Sequence, residues 1–140
     1  MKKVFLILFG VVLSFYLYGC NSDEPDQAVL SFDYGHNITA TETDSSGILF
    51  DNDGNELGEF YLHVGTVTTD NDGVTRLVNN ENYRLTIVLK PNISSENLKV
   101  FYNNTLLDLT SFDSEYHQYD FDFITGSTEH NIKIEGLTKA

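Results

Sequence analysis

The chain has 140 residues, 8 basic against 21 acidic side chains, and a formal charge of −13 at neutral pH. This length suggests one folded domain. The acidic balance argues against a nucleic-acid-binding protein and against a basic membrane-surface face, because both need clustered Lys and Arg. The single cysteine excludes an intramolecular disulfide.

The N-terminal segment has the form of a secretory signal. Met1-Lys2-Lys3 is followed by an almost entirely apolar run to Tyr18, and Gly19 precedes Cys20. The apolar run is about fifteen residues long, whereas a membrane-spanning helix needs roughly 20. We therefore predict a signal that is removed. An ordinary cleaved signal and an uncleaved anchor are the alternatives.

The end of this segment, Leu17-Tyr18-Gly19-Cys20, resembles the lipobox of bacterial lipoproteins. In that family a peptidase cuts before the cysteine, and the cysteine then carries several acyl chains such as palmitate. The resemblance implies lipidation of Cys20 and a firm attachment to the lipid bilayer. It divides the chain into a signal peptide (1–19), a lipidated cysteine with an acidic tether (20–27) and a mature domain (28–140).

The tether, Asn21-Ser22-Asp23-Glu24-Pro25-Asp26, resembles the export signal of Bacteroidota lipoproteins. The resemblance implies a bacterial outer-membrane protein that faces the cell surface. A solvated linker is the compatible structural interpretation, since acidic segments with Pro stay disordered. Loss of Lys2 and Lys3 with the signal leaves six basic residues against 21 acidic ones. This charge favours solubility.

The mature part has the composition of an all-β domain: strand formers are common, Trp is absent, and Asn, Asp, Gly and Ser clusters recur between short apolar runs. We predict an immunoglobulin-like or related two-sheet antiparallel β-sandwich of about eight or nine strands. Ile38–Ser46 is expected to be a loop, and Ile93–Asn97 to hold one helical or 3₁₀ turn. The predicted strands are Ala28–Tyr34, Gly47–Phe50, Glu59–Thr69, Val74–Val78, Asn82–Leu89, Leu98–Tyr102, Thr105–Leu109, Tyr116–Ile124 and His130–Glu135.

Two hairpins can be given a register. A two-residue turn at Asn103-Asn104 pairs Leu98 with Leu109 and Val100 with Leu107, because Asn tolerates the positive φ of a type I′ turn.

In the last hairpin, a four-residue loop at Thr125–Thr128 pairs Phe123 with His130 and places Asp120 opposite Lys133. Both registers match apolar with apolar residues and Lys with Asp, and a slip of one residue would destroy them.

The sequence Asp-Asn-Asp-Gly occurs at Asp51 and again at Asp70. Alternating carboxylate and amide oxygens are ligands for calcium, but Asp-Gly is also a hairpin-turn signal, and the spacing is not that of an EF-hand. We favour two β-turns and no metal cofactor. The calcium alternative would use Asp51, Asp53, Asn55, Asp70 and Asp72.

No catalytic constellation is evident, so we predict that the protein is not an enzyme. Asp120 and Asp122 share one strand face, which indicates a solvated sheet face rather than a paired-carboxylate cleft. The four histidines, His36, His63, His117 and His130, lack zinc-site spacing. His117 and His130 are expected on the inward face, as hydrogen-bonded residues at the rim of the core.

These observations favour a membrane-anchored, surface-exposed lipoprotein with a binding or adhesion module. Its partner would be an unknown protein or glycan, not nucleic acid, and Tyr61, Tyr102 and Tyr116 are candidate exposed aromatics. The alternative is a structural accessory subunit of an outer-membrane or envelope complex, which would pair through a sheet edge or face. An acidic inhibitor of a cationic enzyme is a third hypothesis that rests on charge alone.

Overall fold

The computed structural model describes residues 26–43, 45–64 and 67–139, and these residues form strands, turns and no helix. The strands are β1 (Gln27–Tyr34), β2 (Ile38–Thr43), β3 (Ser46–Asp51), β4 (Glu56–His63), β5 (Val67–Thr69), β6 (Thr75–Val78), β7 (Asn82–Leu89), β8 (Ile93–Ser94), β9 (Lys99–Tyr102), β10 (Thr105–Leu106), β11 (Ser111–Asp113), β12 (Gln118–Ile124), β13 (His130–Glu135) and β14 (Thr138–Lys139).

Twelve of these strands form two six-stranded sheets that pack face to face. Sheet A has the order β10-β9-β13-β1-β6-β5, and sheet B has the order β11-β12-β7-β4-β3-β2. The strands β8 and β14 form a separate short ribbon. All neighbours are antiparallel except β13 and β1, which are parallel. The predicted β-sandwich is confirmed. It has more strands than expected, partly because Glu59–Thr69 contributes to both β4 and β5, and because β2, β8, β11 and β14 were not predicted as strands.

The core lies between the sheets and follows the period-two alternation of the strands. In β7, Tyr83, Leu85 and Ile87 are buried, and in β4 the inward residues include Phe60 and Leu62. Burial of one such side chain contributes roughly 1.5–3 kcal/mol to folding. The inward rows of both sheets join in one apolar cluster.

The first predicted register is correct at its turn. Asn103 and Asn104 have φ values of 47° and 67°, and Phe101 pairs with Leu106. The Leu107 amide donates to Val100 O at 2.9 Å, in agreement with the predicted pairing of these two residues. The pairing ends beyond Leu107, because the chain then crosses from the edge of sheet A to the edge of sheet B. Leu109 is consequently 48% exposed and pairs with no strand.

The second predicted register is wrong, because β12 and β13 lie in different sheets. Phe123 pairs with Tyr83 in sheet B, and His130 pairs with Leu30 in sheet A. Each strand has an apolar row that either sheet can bury, so hydrophobic matching did not distinguish a hairpin from a crossover. The link between the strands is long enough to span the roughly 10 Å between packed sheets.

Hydrogen bonds fix this crossover. The Thr125 hydroxyl donates to Val78 O at 2.7 Å and accepts from the Glu81 amide at 2.8 Å. Because β12 pairs with β7 and not with β13, Asp120 lies opposite Thr86 and not opposite Lys133.

Two smaller expectations are also corrected. Ile38–Thr43 is a strand, β2, which pairs with β3 through all six of its residues. Its Thr-rich sequence suits a strand, because β-branched residues are enriched in strands. Ile93 and Ser94 form β8 rather than a helical turn, because they pair with Thr138 and Lys139.

Candidate functional site

A cleft of about 470 Å³ opens at one end of the sandwich, between the turn after β1 and the link from β13 to β14. It is lined by residues 34–38 and 135–138 together with Lys133, and we call it the end cleft. The Ile38 amide donates to Gly35 O at 3.1 Å and closes the turn. The Gly35 amide donates to Ile134 O at 3.2 Å, which ties this wall to β13.

The opposite wall depends on Gly136. Its φ is 89°, and a β-carbon at this position would lie 1.7 Å from the carbonyl oxygen of Asn97. Only glycine has the space and the conformational freedom that this approach requires. The wall is thereby held against the loop before β9.

Polar side chains surround the end cleft. The Tyr34 hydroxyl donates to Glu42 Oε2 at 2.7 Å. Burial, followed by the hydrogen bond and the charge of Glu42, raises the pKa of Tyr34 far above its ordinary value, so the phenol remains protonated. Lys133 Nζ lies 3.6 Å from Glu135 Oε1 and 5.4 Å from the centre of the Phe101 ring.

The turn of the end cleft adds His36 and Asn37. The Asn52 amide group reaches across from the β3–β4 turn, within 3.4 Å of His36 O and 3.5 Å of Asn37 Oδ1. The described residues that line the cleft therefore offer a phenol, an imidazole, an amide, an ammonium, a carboxylate and the hydroxyl of Thr138. Such groups are suited to reversible hydrogen bonding with a polar ligand.

The outer face of sheet B holds a second polar arrangement, centred on Asp120. The Thr86 hydroxyl donates to Asp120 Oδ1 at 2.7 Å, and the Ser111 hydroxyl donates to Oδ2 at 2.8 Å. His63 Nε2 lies 2.6 Å from the Thr86 oxygen. Since the only hydroxyl proton of Thr86 goes to Asp120, His63 must be the donor in that bond.

This network changes the predicted environment of Asp120, which is only 7% exposed although it lies on the outer face. Burial acts to raise the pKa of this carboxyl, but hydrogen bonds from Thr86, Ser111 and Gln118 outweigh burial and leave the pKa below its usual range. Asp122 matches the predicted solvated face. Its carboxylate accepts from Arg84 Nε at 2.6 Å and from Nη2 at 3.0 Å.

His130 is fully buried, deeper than the core rim predicted for it. Its Nε2 lies 2.9 Å from Asn79 Oδ1, and its Nδ1 lies 2.7 Å from the Tyr102 hydroxyl. Tyr102 is 9% exposed, so its predicted exposure is wrong, whereas Tyr61 and Tyr116 are exposed as expected.

His117 is half-buried and has a φ of 52°, at the turn before β12.

The two Asp-Asn-Asp-Gly sequences form the same turn. Asp51 Oδ1 accepts from the amides of Asp53 and Asn55, and Asp51 Oδ2 accepts from the Asn55 side chain. Asp70 Oδ1 accepts in the same way from the amides of Asp72 and Val74. Backbone hydrogen bonds lower the pKa of both leading aspartates. The first aspartate of each sequence thus serves its own β-turn.

Metal-binding geometry is not found in residues 26–43, 45–64 and 67–139, where no three His, Cys, Asp or Glu side chains are grouped. The predicted signal peptide, the lipobox with Cys20 and most of the acidic tether lie outside the described residues. Within the described ranges, no helix is long and apolar enough to span a membrane.

The fold and the end cleft define a two-sheet β-sandwich protein with a polar cleft at one end. Comparison of the chain with protein-family models, curated proteins and solved structures finds no match. Sequence reasoning missed the end cleft, because its walls are about 100 residues apart in the chain, on two strands whose parallel pairing has no local signal.

Proposed function

We propose that the protein is a membrane-anchored, surface-exposed bacterial lipoprotein, and that its β-sandwich is a non-catalytic binding or adhesion module. Acyl chains on Cys20 would attach it to the outer membrane. The end cleft would contact a polar group of a partner glycan or protein. No metal or other cofactor is needed for this role.

The direction of β1 is the observation that carries the proposal. β1 starts at the end of the sandwich where the Asn79 amide donates to Asp26 O at 2.8 Å, and it finishes at Tyr34 in the end cleft. Eight residues of strand span about 25 Å. An anchor on the N-terminal side of β1 would hold the Asp26 end toward the membrane and leave the end cleft on the opposite side.

The length of the tether supports the same orientation. Six residues lie between Cys20 and Gln27, so the connection has seven Cα–Cα steps and reaches at most roughly 25 Å when fully extended. The Asp26 end would stay close to the lipid headgroups. The end cleft would lie about 25 Å further out, where a partner outside the cell could reach it.

Protease shaving of intact cells, combined with mass spectrometry of the N-terminal peptide, tests the anchor and the orientation together. We expect an acylated Cys20 peptide retained in the cells and peptides of the sandwich released by the protease. An unmodified Cys20 would overturn the lipoprotein proposal. A sandwich that is cut only after cell lysis would overturn surface exposure.

The binding role of the end cleft is tested with the purified full chain on glycan arrays and in pull-downs from envelope extracts. We expect Lys133→Ala and Asn37→Ala to weaken the binding of any captured ligand, because each variant removes a polar group of the cleft. Arg76→Ala is the control, since it removes a cation from sheet A beside Asp70, away from the cleft. An equal loss of ligand binding in all three variants would count against the end cleft as the binding site.

A second candidate function is that of an accessory subunit of an envelope complex. It is favoured by the exposed edge strands β2 and β11, which end sheet B on both sides. Cross-linking in intact cells discriminates between the two functions. One stoichiometric membrane partner supports the accessory role, and a diffuse pattern counts against it.

A further inference from the structure

The edge of sheet B at β11 is open. β11 is the terminal strand of sheet B, and all three of its residues are exposed. On its free side no further strand lies among the residues that the structure describes. A strand edge of this kind presents backbone N–H and C=O groups that can pair with another chain.

Phe112 makes this edge different from the other three. It pairs with Tyr119, whose ring packs against the core, and the two ring centres are 4.8 Å apart. Phe112 therefore continues the inward apolar row to the side of the sandwich, where it remains 51% exposed. The edge strands β2, β5 and β10 carry no exposed aromatic side chain.

The chain segment that contains β11 carries charges of one sign. From Thr105 to Tyr116 the chain contains Asp108, Asp113 and Glu115 but no Lys or Arg. Ser111 lies on the outer face of the edge, where its partner is Asp120. Asp113 is two residues further along β11 and therefore shares that face. The open edge thus combines an apolar inward position with an acidic outer one.

We propose that the β11 edge is a docking site for an extended basic and apolar segment of a partner protein, which adds to sheet B as a further strand. An apolar residue of the segment would cover Phe112, and Lys or Arg residues on either side of it would face Ser111 and Asp113. Main-chain hydrogen bonds supply affinity in this mode, and alternate side chains supply specificity.

A second copy of the chain does not fit this site. An antiparallel pair of two β11 strands centred on Phe112 would place Ser111 of the copy opposite Asp113, so the copy would bring no cation to the acidic residues of this edge. The net charge of −13 also opposes self-association. The proposal rests on the second candidate function, for which it names one edge and the chemistry of the partner segment, and it depends neither on the anchor nor on the end cleft.

Titration of the isotopically labelled full chain in detergent with a capped peptide tests the proposal. The probe is an alternating lysine and valine peptide of about seven residues, a typical strand length. We expect saturable binding with amide shifts centred on Phe112 and Asp113. A glutamate and valine peptide of the same length should bind at least about tenfold more weakly. Absence of saturable binding, or equal binding of the two peptides, would overturn the proposal.

Matched variants distinguish strand addition from general charge attraction. Phe112→Ser and Asp113→Lys should each weaken binding of the lysine peptide about tenfold. Ile124→Ser and Glu129→Lys change the same properties away from β11 and should leave binding within about twofold. Equal loss in the controls would overturn the proposal. So would a concentration-dependent dimer that Phe112→Ser abolishes, because the site would then belong to a second copy. Asp113 Oδ1 accepts from the amides of Glu115 and Tyr116, so Asp113→Asn, which removes the charge and keeps this oxygen, is the further variant should Phe112→Ser or Asp113→Lys not fold. It should also weaken binding of the lysine peptide, and unchanged binding would overturn the proposal.

Discussion

Tyr102 and His130 share a hydrogen bond of 2.7 Å inside the sandwich, and its direction follows from their other contacts. The Tyr102 oxygen already accepts from the Gly126 amide at 2.7 Å, and Asn79 Oδ1 can only accept from His130 Nε2. Tyr102 therefore donates to Nδ1, and His130 is neutral with its proton on Nε2. This bond joins the β9–β10 hairpin to the start of β13.

Removal of the Tyr102 hydroxyl should destabilise the fold. Tyr102→Phe leaves His130 Nδ1 and the Gly126 amide without this partner, and we expect a loss of about 2 kcal/mol in the free energy of unfolding. Urea unfolding of both proteins measures the loss. Tyr116→Phe is the control, because Tyr116 is exposed. An unchanged stability of Tyr102→Phe would contradict the buried network.

The neutral state of His130 predicts a pH dependence. Burial lowers the pKa of His130, so the unfolded chain takes up a proton at higher pH than the folded chain does. The stabilising contribution is therefore complete above an unfolded pKa of about 6.5 and is lost as the pH falls through and below that value. We expect unfolding midpoints to decrease between pH 7.5 and 5.5, and the decrease to be smaller in His130→Gln. A pH dependence that is unchanged in His130→Gln would contradict this role of the buried imidazole.

Asp120 predicts a separate loss of stability in acid. Its pKa is held below the ordinary value, so its contribution is present above about pH 4 and is lost as the pH falls through the lower folded pKa. Asp120→Asn should weaken the bonds with Thr86 and Ser111, lower stability at pH 7 by about 1–3 kcal/mol and flatten the acid limb of the stability curve. Asp108→Asn serves as the comparison. The same loss of stability with falling pH in the two variants would refute this role of Asp120.

Gly136 predicts a steric effect on the end cleft. Gly136→Ala forces a β-carbon into the Asn97 carbonyl at a residue with positive φ, so we expect a loss of roughly 2–4 kcal/mol. Gly126→Ala is the matched control, because its β-carbon would lie 3.7 Å from the Tyr102 hydroxyl, an ordinary contact. Thermal unfolding of the two variants compares them directly. Similar unfolding midpoints would show that the backbone around Gly136 moves away from Asn97 without a loss of stability, which would contradict the prediction.

The β9–β10 turn predicts a gain in stability. Asn104 has a φ of 67°, a conformation that glycine adopts without steric cost. Asn104→Gly should therefore stabilise the hairpin by about 0.5 kcal/mol, because Asn-Gly is the preferred type I′ pair. Chemical denaturation detects a change of this size. A destabilised variant would mean that the Asn104 side chain contributes more than its backbone conformation.

Strands could be predicted from the sequence where apolar residues alternate at period two. Asn82–Leu89 and His130–Glu135 were predicted with their observed bounds, because apolar alternation at period two identifies a half-buried strand. The two Asp-Asn-Asp-Gly turns and the Asn103-Asn104 hairpin were also predictable, since Asp, Asn and Gly favour turn conformations through local bonds and positive φ.

The sheet assignment of each strand was not predictable in this way. Phe123 and His130 satisfied a hairpin register as well as they satisfy the crossover, because alternation says which residues face inward and not which sheet they belong to. The end cleft, the buried position of Asp120 and the open edge of β11 all follow from that assignment.

The sequence by itself determined the strand class, most strand positions and the local turns, since these depend on neighbours a few residues apart. It also supplies the prediction of an anchor at Cys20. Only the tertiary structure decided the sheet order, the parallel pairing of β1 with β13 and the partners of His130 and Asp120. Those features depend on contacts between distant segments, which are selected by the free energy of packing the whole core.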